Sequence, residues 1–283
     1  MACVWLAFVH LPKNTSGQSV FKTQTDTLLA LMYDYNLKPT EAQRLEANYL
    51  FIKTLVKTLR LENSLKIKFD TLKTVSVLYP SDSSFRLFSW AVKLDKAVYR
   101  HFGCIQMNNP TADSPLKIIS LIDKSDEISD AQTEPLNDKR WFGAVYYQMI
   151  ETKKSAKTYY TLLGFDANEP FSNKRIIEIL TFDDTRTKAL FGADVFENTV
   201  ADKNKGSKNE PIEQRRIFEY KKQASMLLRY DKNYKWIIFD HLVPIDQQNE
   251  RLFFDYVPDL SYDAYEWKKG KWVLKEDVKI KSK

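Results

Sequence analysis

Between Arg216 and Lys275 the chain reads as strand, turn, strand almost without interruption, and this stretch limits the fold more than any other. Ile217, Phe218 and Tyr220 open it, Met226 to Tyr230 run into Asp231-Lys232-Asn233, and Trp236 to Phe239 run back out. A second ribbon sets Tyr262, Tyr265 and Trp267 against Trp272, Val273 and Leu274 across Lys268-Lys269-Gly270. Aromatic and β-branched residues fit a pleated, half-buried surface, and the glycine supplies the positive φ of a tight hairpin.

The same grammar reaches back to Leu65. Val75, Val77 and Tyr79 precede a Pro-Ser-Asp turn, with Phe85, Leu87 and Trp90 beyond it. Strands are predicted at Val98–Gln106 and Lys117–Ile122, and a hairpin joins Trp141–Ile150 to Tyr159–Phe165 about Lys153-Lys154-Ser155. Ile176, Ile177, Ile179 and Leu180 form a nearly continuous apolar run, the mark of a strand covered on both faces. Residues 123–140, with six acids and three bases, read as a mobile surface loop, and 198–214 as a second polar loop. Tyr79–Trp90, Phe165–Leu180 and Tyr230–Phe239 share an order of aromatic, polar turn, basic residue and apolar run, at spacings too irregular to define a repeat.

Upstream the period changes to helical. Phe21, Leu28, Leu31, Met32 and Tyr35 share one stripe, and Asn36 to Pro39 ends it. Thr40 with Gln43 three residues on forms a capping box for a second helix, whose predicted apolar stripe is Leu45, Tyr49, Ile52, Val56 and Leu59. The fold class is therefore mainly β: an antiparallel hairpin meander, either one curved sheet or a propeller-like array, preceded by a two-helix segment at 18–64. A chain of 283 residues buries roughly 75% of its unfolded surface without staples.

Residues 2–11 are apolar except for His10, and Pro12 to Gly17 break the run. The segment has the length of a signal-peptide core but lacks a basic start, so it reads either as an export signal ending near Gly17 or as a buried N-terminal strand; the export reading is the one adopted. Two cysteines, Cys3 and Cys104, cannot build a disulfide scaffold, and no stretch after residue 20 is apolar enough to span a membrane. The net charge of +6 is concentrated at the C-terminus, where seven lysines face Glu266, Glu276 and Asp277. Charges elsewhere are interspersed, so no nucleic-acid partner is expected.

Chemistry-bearing residues are few. His101 and Cys104 have a spacing that puts them on opposite faces of a strand, and adjacent Asp240 and His241 diverge in the same way. Acidic turns at Asp82, Asp166 and Asp231 lack the closing glutamate of a calcium loop, and phosphate loops and nucleophile elbows are absent from the sequence. No catalytic residues, cofactor or metal are therefore assigned. Ligand contact is assigned to Trp141, Tyr262, Tyr265 and Trp267, aromatic residues in or beside turns, against the plainer role of core packing.

The words Trp141-Phe142-Gly143-Ala144-Val145-Tyr146-Tyr147, Tyr159 to Asp166, Ile238-Phe239-Asp240-His241-Leu242 with Pro244, and Pro258 to Tyr265 with Trp272 resemble those of a group of uncharacterised exported proteins of Bacteroidetes-type bacteria. The resemblance runs from Leu65 to Asp277, implies a periplasmic or surface setting and brings no activity. Leu260 stands where a glycine is expected in such a turn. The functional expectation is a non-catalytic binding or assembly protein of the cell envelope, with an envelope protein or polysaccharide as partner. The alternative is a hydrolase of glycan or peptide working through carboxylates among Asp166, Asp240, Asp259 and Asp263.

Overall fold

In the computed structural model, residues 15–108, 118–197, 212–246, 248 and 252–280 are described. Cys3, His10, the apolar run at 2–11 and most of the 198–214 loop lie outside them. Helix α1 spans Thr15–Leu37 and α2 spans Glu41–Leu59. The capping box at the start of α2 forms as the sequence predicts: the Thr40 hydroxyl accepts from the Gln43 amide, and the Gln43 side chain accepts from the Thr40 amide. No helix among the described residues is long and apolar enough to cross a membrane.

The predicted stripe of α2 is displaced. Its buried face is Arg44, Ala47, Asn48, Phe51, Leu55, Thr58 and Leu59, while Tyr49 is exposed and Leu45, Ile52 and Val56 are only partly covered. Polar side chains belong to this face because each meets a partner there. Asn48 accepts a 2.8 Å hydrogen bond from the Trp90 indole, and Arg44 donates to the Lys93 carbonyl at 2.7 Å. An apolar stripe alone misses a face that buried polar groups share.

The rest is mainly β, in three antiparallel sheets, none of which closes into a barrel among the described residues. The first is β1 (Ser76–Leu78), β2 (Phe85–Lys93), β3 (Tyr99–Met107) and β4 (Ile118–Leu121), paired in sequence order. The second runs β5 (Leu136–Asn137), β9 (Ala189–Phe191), β8 (Ser172–Phe182), β7 (Lys157–Asp166) and β6 (Val145–Lys154), with β10 (Arg216–Lys221) also pairing β8. The third is β11 (Leu228–Asp231), β12 (Trp236–Pro244), β13 (Tyr256–Lys268) and β14 (Lys271–Lys275). The stretch from Arg216 to Lys275 is thus divided, since β10 joins the second sheet and β11 to β14 make the third. The three segments of shared grammar fall one in each sheet, at β1–β2, β7–β8 and β11–β12.

Strand alternation explains the layering. In β2, Phe88, Trp90 and Val92 pack under the helices with Leu28, Phe51 and Leu55, whereas Phe85 and Leu87 point the other way to meet Tyr160, Leu162 and Ile176 of the second sheet. In β8, Ile176 and Leu180 face the first sheet while Ile177 and Ile179 face Ile237, Phe239 and Trp272 of the third. The two-faced burial predicted for this strand is therefore observed.

Strand β6 joins all three sheets. Its register slips between Tyr146 and Gln148, a bulge that frees main-chain groups from the ladder. The Tyr146 amide donates to Ser89 Oγ at 3.0 Å, and its carbonyl accepts from the Ser76 hydroxyl. On the other side the Tyr147 hydroxyl donates to the Leu228 carbonyl at 2.8 Å, and Gln148 Oε1 accepts from the Tyr230 amide at 2.9 Å. An edge that would otherwise offer unpaired groups is thus covered from both faces.

The segment 123–140, expected to be free surface, is held in place. It contributes β5, and the carbonyls of Ala131 and Glu134 accept hydrogen bonds from the buried Arg215 guanidinium. Lys269 (φ 49°) and Gly270 (φ 81°) make the predicted β13–β14 turn with both central residues left-handed. Leu260, inside β13, has φ 75° and is 89% exposed. A side chain in that conformation costs about 1–2 kcal/mol, part of which a glycine's own entropy would offset. Leu260→Gly is expected to raise the free energy of unfolding by about 1 kcal/mol in urea titrations; a loss instead would mean that the leucine makes a stabilising contact.

Candidate functional site

His101 lies on the face of β3 that carries Ile105 and Met107 towards the second sheet, and Cys104 lies on the helix side. The opposite-face reading of this pair therefore holds. Asp166, at the end of β7, shares parity with Tyr160 and Leu162 and so faces the first sheet. Asp123 follows Leu121 by two residues just beyond β4. Three strand ends thus bring Asp123, His101 and Asp166 together at the seam between two sheets.

The imidazole is flanked on both nitrogens. His101 Nδ1 is 3.5 Å from Asp123 Oδ2, and Nε2 is 3.4 Å from Asp166 Oδ1. The ring is 3% exposed, and Nε2 makes no hydrogen bond among the described residues. Asp123 is held firmly: Oδ2 accepts from the His101 amide at 2.8 Å, and Oδ1 accepts from the Ser125 amide and hydroxyl at 3.0 and 2.6 Å. The Ser125 hydroxyl in turn accepts from the Gly143 amide at 2.9 Å. A Cβ at position 143 would stand 2.6 Å from both the Asp123 carboxyl and His101 Cβ, so only glycine permits this approach.

The two carboxyls are driven in opposite directions. Burial alone would raise Asp123, but the bonds and charge of His101 and the bonds from Ser125 outweigh it and hold the carboxyl down at about 2. Asp166 accepts one main-chain bond, from the Asn168 amide at 2.6 Å, and burial pushes it above the ordinary carboxylate range despite His101. Both groups open on a cavity of about 600 Å³ whose walls include Tyr99, Phe102, Leu121 and the Lys124–Glu127 turn, with Asn168 and Glu169 on its far side. The expected acid Asp166 is therefore in a cavity, and its companions His101 and Asp123 were missed. The available signal was Asp123-Lys124-Ser125, an aspartate two residues ahead of a serine that forms a tight polar turn at a strand end.

The other three candidate acids, Asp240, Asp259 and Asp263, lie together around His241 at the bulge between β12 and β13. Asp240 and Tyr262 line a second recess of about 650 Å³ with Arg175 and Tyr147. Asp240 Oδ2 accepts from the Leu227 amide at 2.7 Å, and burial raises its carboxyl. His241 sits at a bulge in β12 and does not pair with Asp240; its Nδ1 lies 2.8 Å from Asp263 Oδ2 on the neighbouring strand, a bond that raises the imidazole above its ordinary value. Asp259 closes a local turn, accepting from the Ser261 amide and hydroxyl.

Of the four aromatic residues assigned to ligand contact, two are buried in the core. Trp141 is fully buried between the first two sheets, with its indole donating to the Tyr146 hydroxyl at 2.9 Å, and Tyr265 is 3% exposed beside Phe239 and Phe196. Core packing claims them because their rings close the inter-sheet layers. Trp267 is half-buried and edge-on to Trp272 at 5.2 Å, and Tyr262 lines the second recess. The four are not gathered at one site. Among the described residues no group of three or more histidine, cysteine, aspartate or glutamate side chains has the arrangement of a metal site. Compared with protein-family models, with curated proteins and with solved structures, the chain matches none.

Proposed function

We propose that the chain is a non-catalytic binding or assembly protein of the cell envelope and that the cavity beside His101 is its ligand site. The supporting observation is a recess of ligand size at a junction of two sheets, with a buried imidazole nitrogen that lacks a hydrogen-bond partner. Asp123, which a hydrolase would need as a free base, has both oxygens engaged in holding the loop and the β3 backbone. An envelope setting is supported by the apolar run at 2–11 and by the resemblance to exported proteins. The partner is then an envelope polysaccharide or protein, or a fragment of one that fits the recess.

A screen of small polar compounds by thermal unfolding tests this reading. A compound at about a hundred times its Kd adds about 2.7 kcal/mol to stability. The gain should vanish in Val98→Trp, where the larger side chain fills the wall of the recess. No stabilising compound, or equal gains in Val98→Trp, would reject it. One observation favours the hydrolase alternative: two carboxyls with opposite shifts beside one imidazole can divide acid and base roles. Turnover of glycoside or peptide substrates that is lost in Asp166→Asn would decide for hydrolysis.

A further inference from the structure

We infer that the ligand of the His101 cavity carries an ammonium group on an aliphatic stem, the chemistry shared by free alkyl diamines and lysine side chains. The inference rests on the binding reading above. In the neutral tautomer that carries its proton on Nδ1, which faces Asp123 Oδ2 at 3.5 Å, His101 offers Nε2 as a lone-pair acceptor 3.4 Å from Asp166 Oδ1. An ammonium has three donors and no acceptor, so one group can bond both atoms and satisfy the nitrogen that has no partner among the described residues. A hydroxyl has a single proton and reaches one of the two.

Charge favours the same ligand. Five carboxylates line the cavity, Asp123, Asp126, Glu127, Asp166 and Glu169, against the cations Arg100 and Lys124. Lys124 and Glu127 are committed to each other, Nζ lying 2.5 Å from Oε1, which leaves four carboxylates against Arg100. The walls add Leu94, Val98 and Phe102, apolar surface along which a methylene stem can lie. The chain itself places an ammonium nearby: Lys222 Nζ donates to the Ala167 carbonyl at 2.6 Å, stands 5.9 Å from the Tyr99 ring centre and lies in the field of Asp166 and Glu169. A second ammonium deeper in the cavity meets the buried acceptors that Lys222 does not bond.

Amide NMR of the full ¹⁵N-labelled chain during titration tests the inference, with 1,5-diaminopentane, a lysine-centred tripeptide, 1,5-pentanediol and glucose as probes. The diamine or the tripeptide should shift the amides of His101, Asp123 and Asp166 in a saturable manner, and pentanediol should do so at least about tenfold more weakly, since a charge-assisted bond is worth about one factor of ten or more. Tighter binding of the diamine assigns a free amine, and tighter binding of the tripeptide a peptide-borne lysine. Asp166→Asn should weaken either by about tenfold. Glu169→Gln, on the exposed rim, should weaken it by roughly twofold to fivefold and keeps the test valid should the buried variant not fold. Equal binding of pentanediol, or cavity shifts with glucose alone, would overturn the ammonium assignment and leave the binding site standing. Amine-induced shifts scattered over the surface and unchanged in Glu169→Gln would also overturn it, and an absence of cavity shifts with all four probes would remove the binding site as well.

Discussion

Replacing Arg215 with alanine is expected to lower the free energy of unfolding by about 3–5 kcal/mol, the range for breaking a buried ion pair from one side. Arg215 and Glu178 are both fully buried, with Nε 2.7 Å from Oε2. Nη1 donates to the Ala131 and Glu134 carbonyls and Nη2 to the Phe191 carbonyl, so one guanidinium ties β8, β9 and the 123–140 segment together. Burial pushes the Glu178 carboxyl upward in spite of the arginine beside it. Alanine would remove the arginine's donors from Glu178 Oε2 and from three carbonyls, while Oε1 keeps the Ile179 amide at 2.9 Å. The double variant Glu178→Leu/Arg215→Met, which replaces the pair by apolar groups of similar volume, is expected to recover most of the loss. Chemical denaturation of the three proteins gives the comparison, and a loss below about 1 kcal/mol in Arg215→Ala would show that the pair does not hold the sheet.

The pair also shows where the sequence stops being readable. Glu178 interrupts the run Ile176-Ile177-Glu178-Ile179-Leu180, and a lone charge in a strand covered on both faces calls for a buried partner. The run carries that demand, although the strand prediction rests only on its isoleucines and leucine. The partner of Glu178 was not legible, because Arg215 stands 37 residues away beside a polar loop and β10 crosses to the second sheet. The same division holds at the candidate site. Period-two alternation separates His101 from Cys104 and sets the facing of Asp166, but the meeting of β3, β4 and β7 ends depends on which sheets stack, a non-local fact.

Errors of the opposite kind arose where polar groups are buried. The α2 stripe was displaced because Arg44, Asn48 and Thr58 look like surface residues until their partners are known. The 123–140 segment, read from its charges as mobile, is fixed by Arg215 and by the Asp123 turn. Both cases have one cause. Periodicity reports which residues avoid water, whereas a buried polar group is placed by its partner, and the partner belongs to another element.

Arg86→Ala should cost a comparable amount, about 3–5 kcal/mol, through a network that contains no carboxylate partner among the described residues. Arg86 is fully buried on the helix side of β2, its guanidinium 5.0 and 5.1 Å from the ring centres of Phe69 and Phe88, which meet each other edge to face at 5.4 Å. Nε donates to Gln106 Oε1 at 2.5 Å, Nη1 to the Ile67 carbonyl and Nη2 to the Ser64 carbonyl, both at 3.0 Å. Gln106 then donates to the Leu59 carbonyl at the end of α2. The cation thus lies near the C-terminal end of α2 and over two aromatic rings, and burial lowers its proton affinity while Tyr79 beside it offsets part of that shift. Lysine keeps the charge but not the planar fork, so Arg86→Lys should still lose about 2 kcal/mol or more. A double-mutant cycle with Gln106→Ala should return a coupling of about 1–3 kcal/mol, because each side chain orients the other. Additive losses would mean that Arg86 is held by the aromatic rings and the two carbonyls alone, and that the end of α2 is fixed to the first sheet by Gln106 independently.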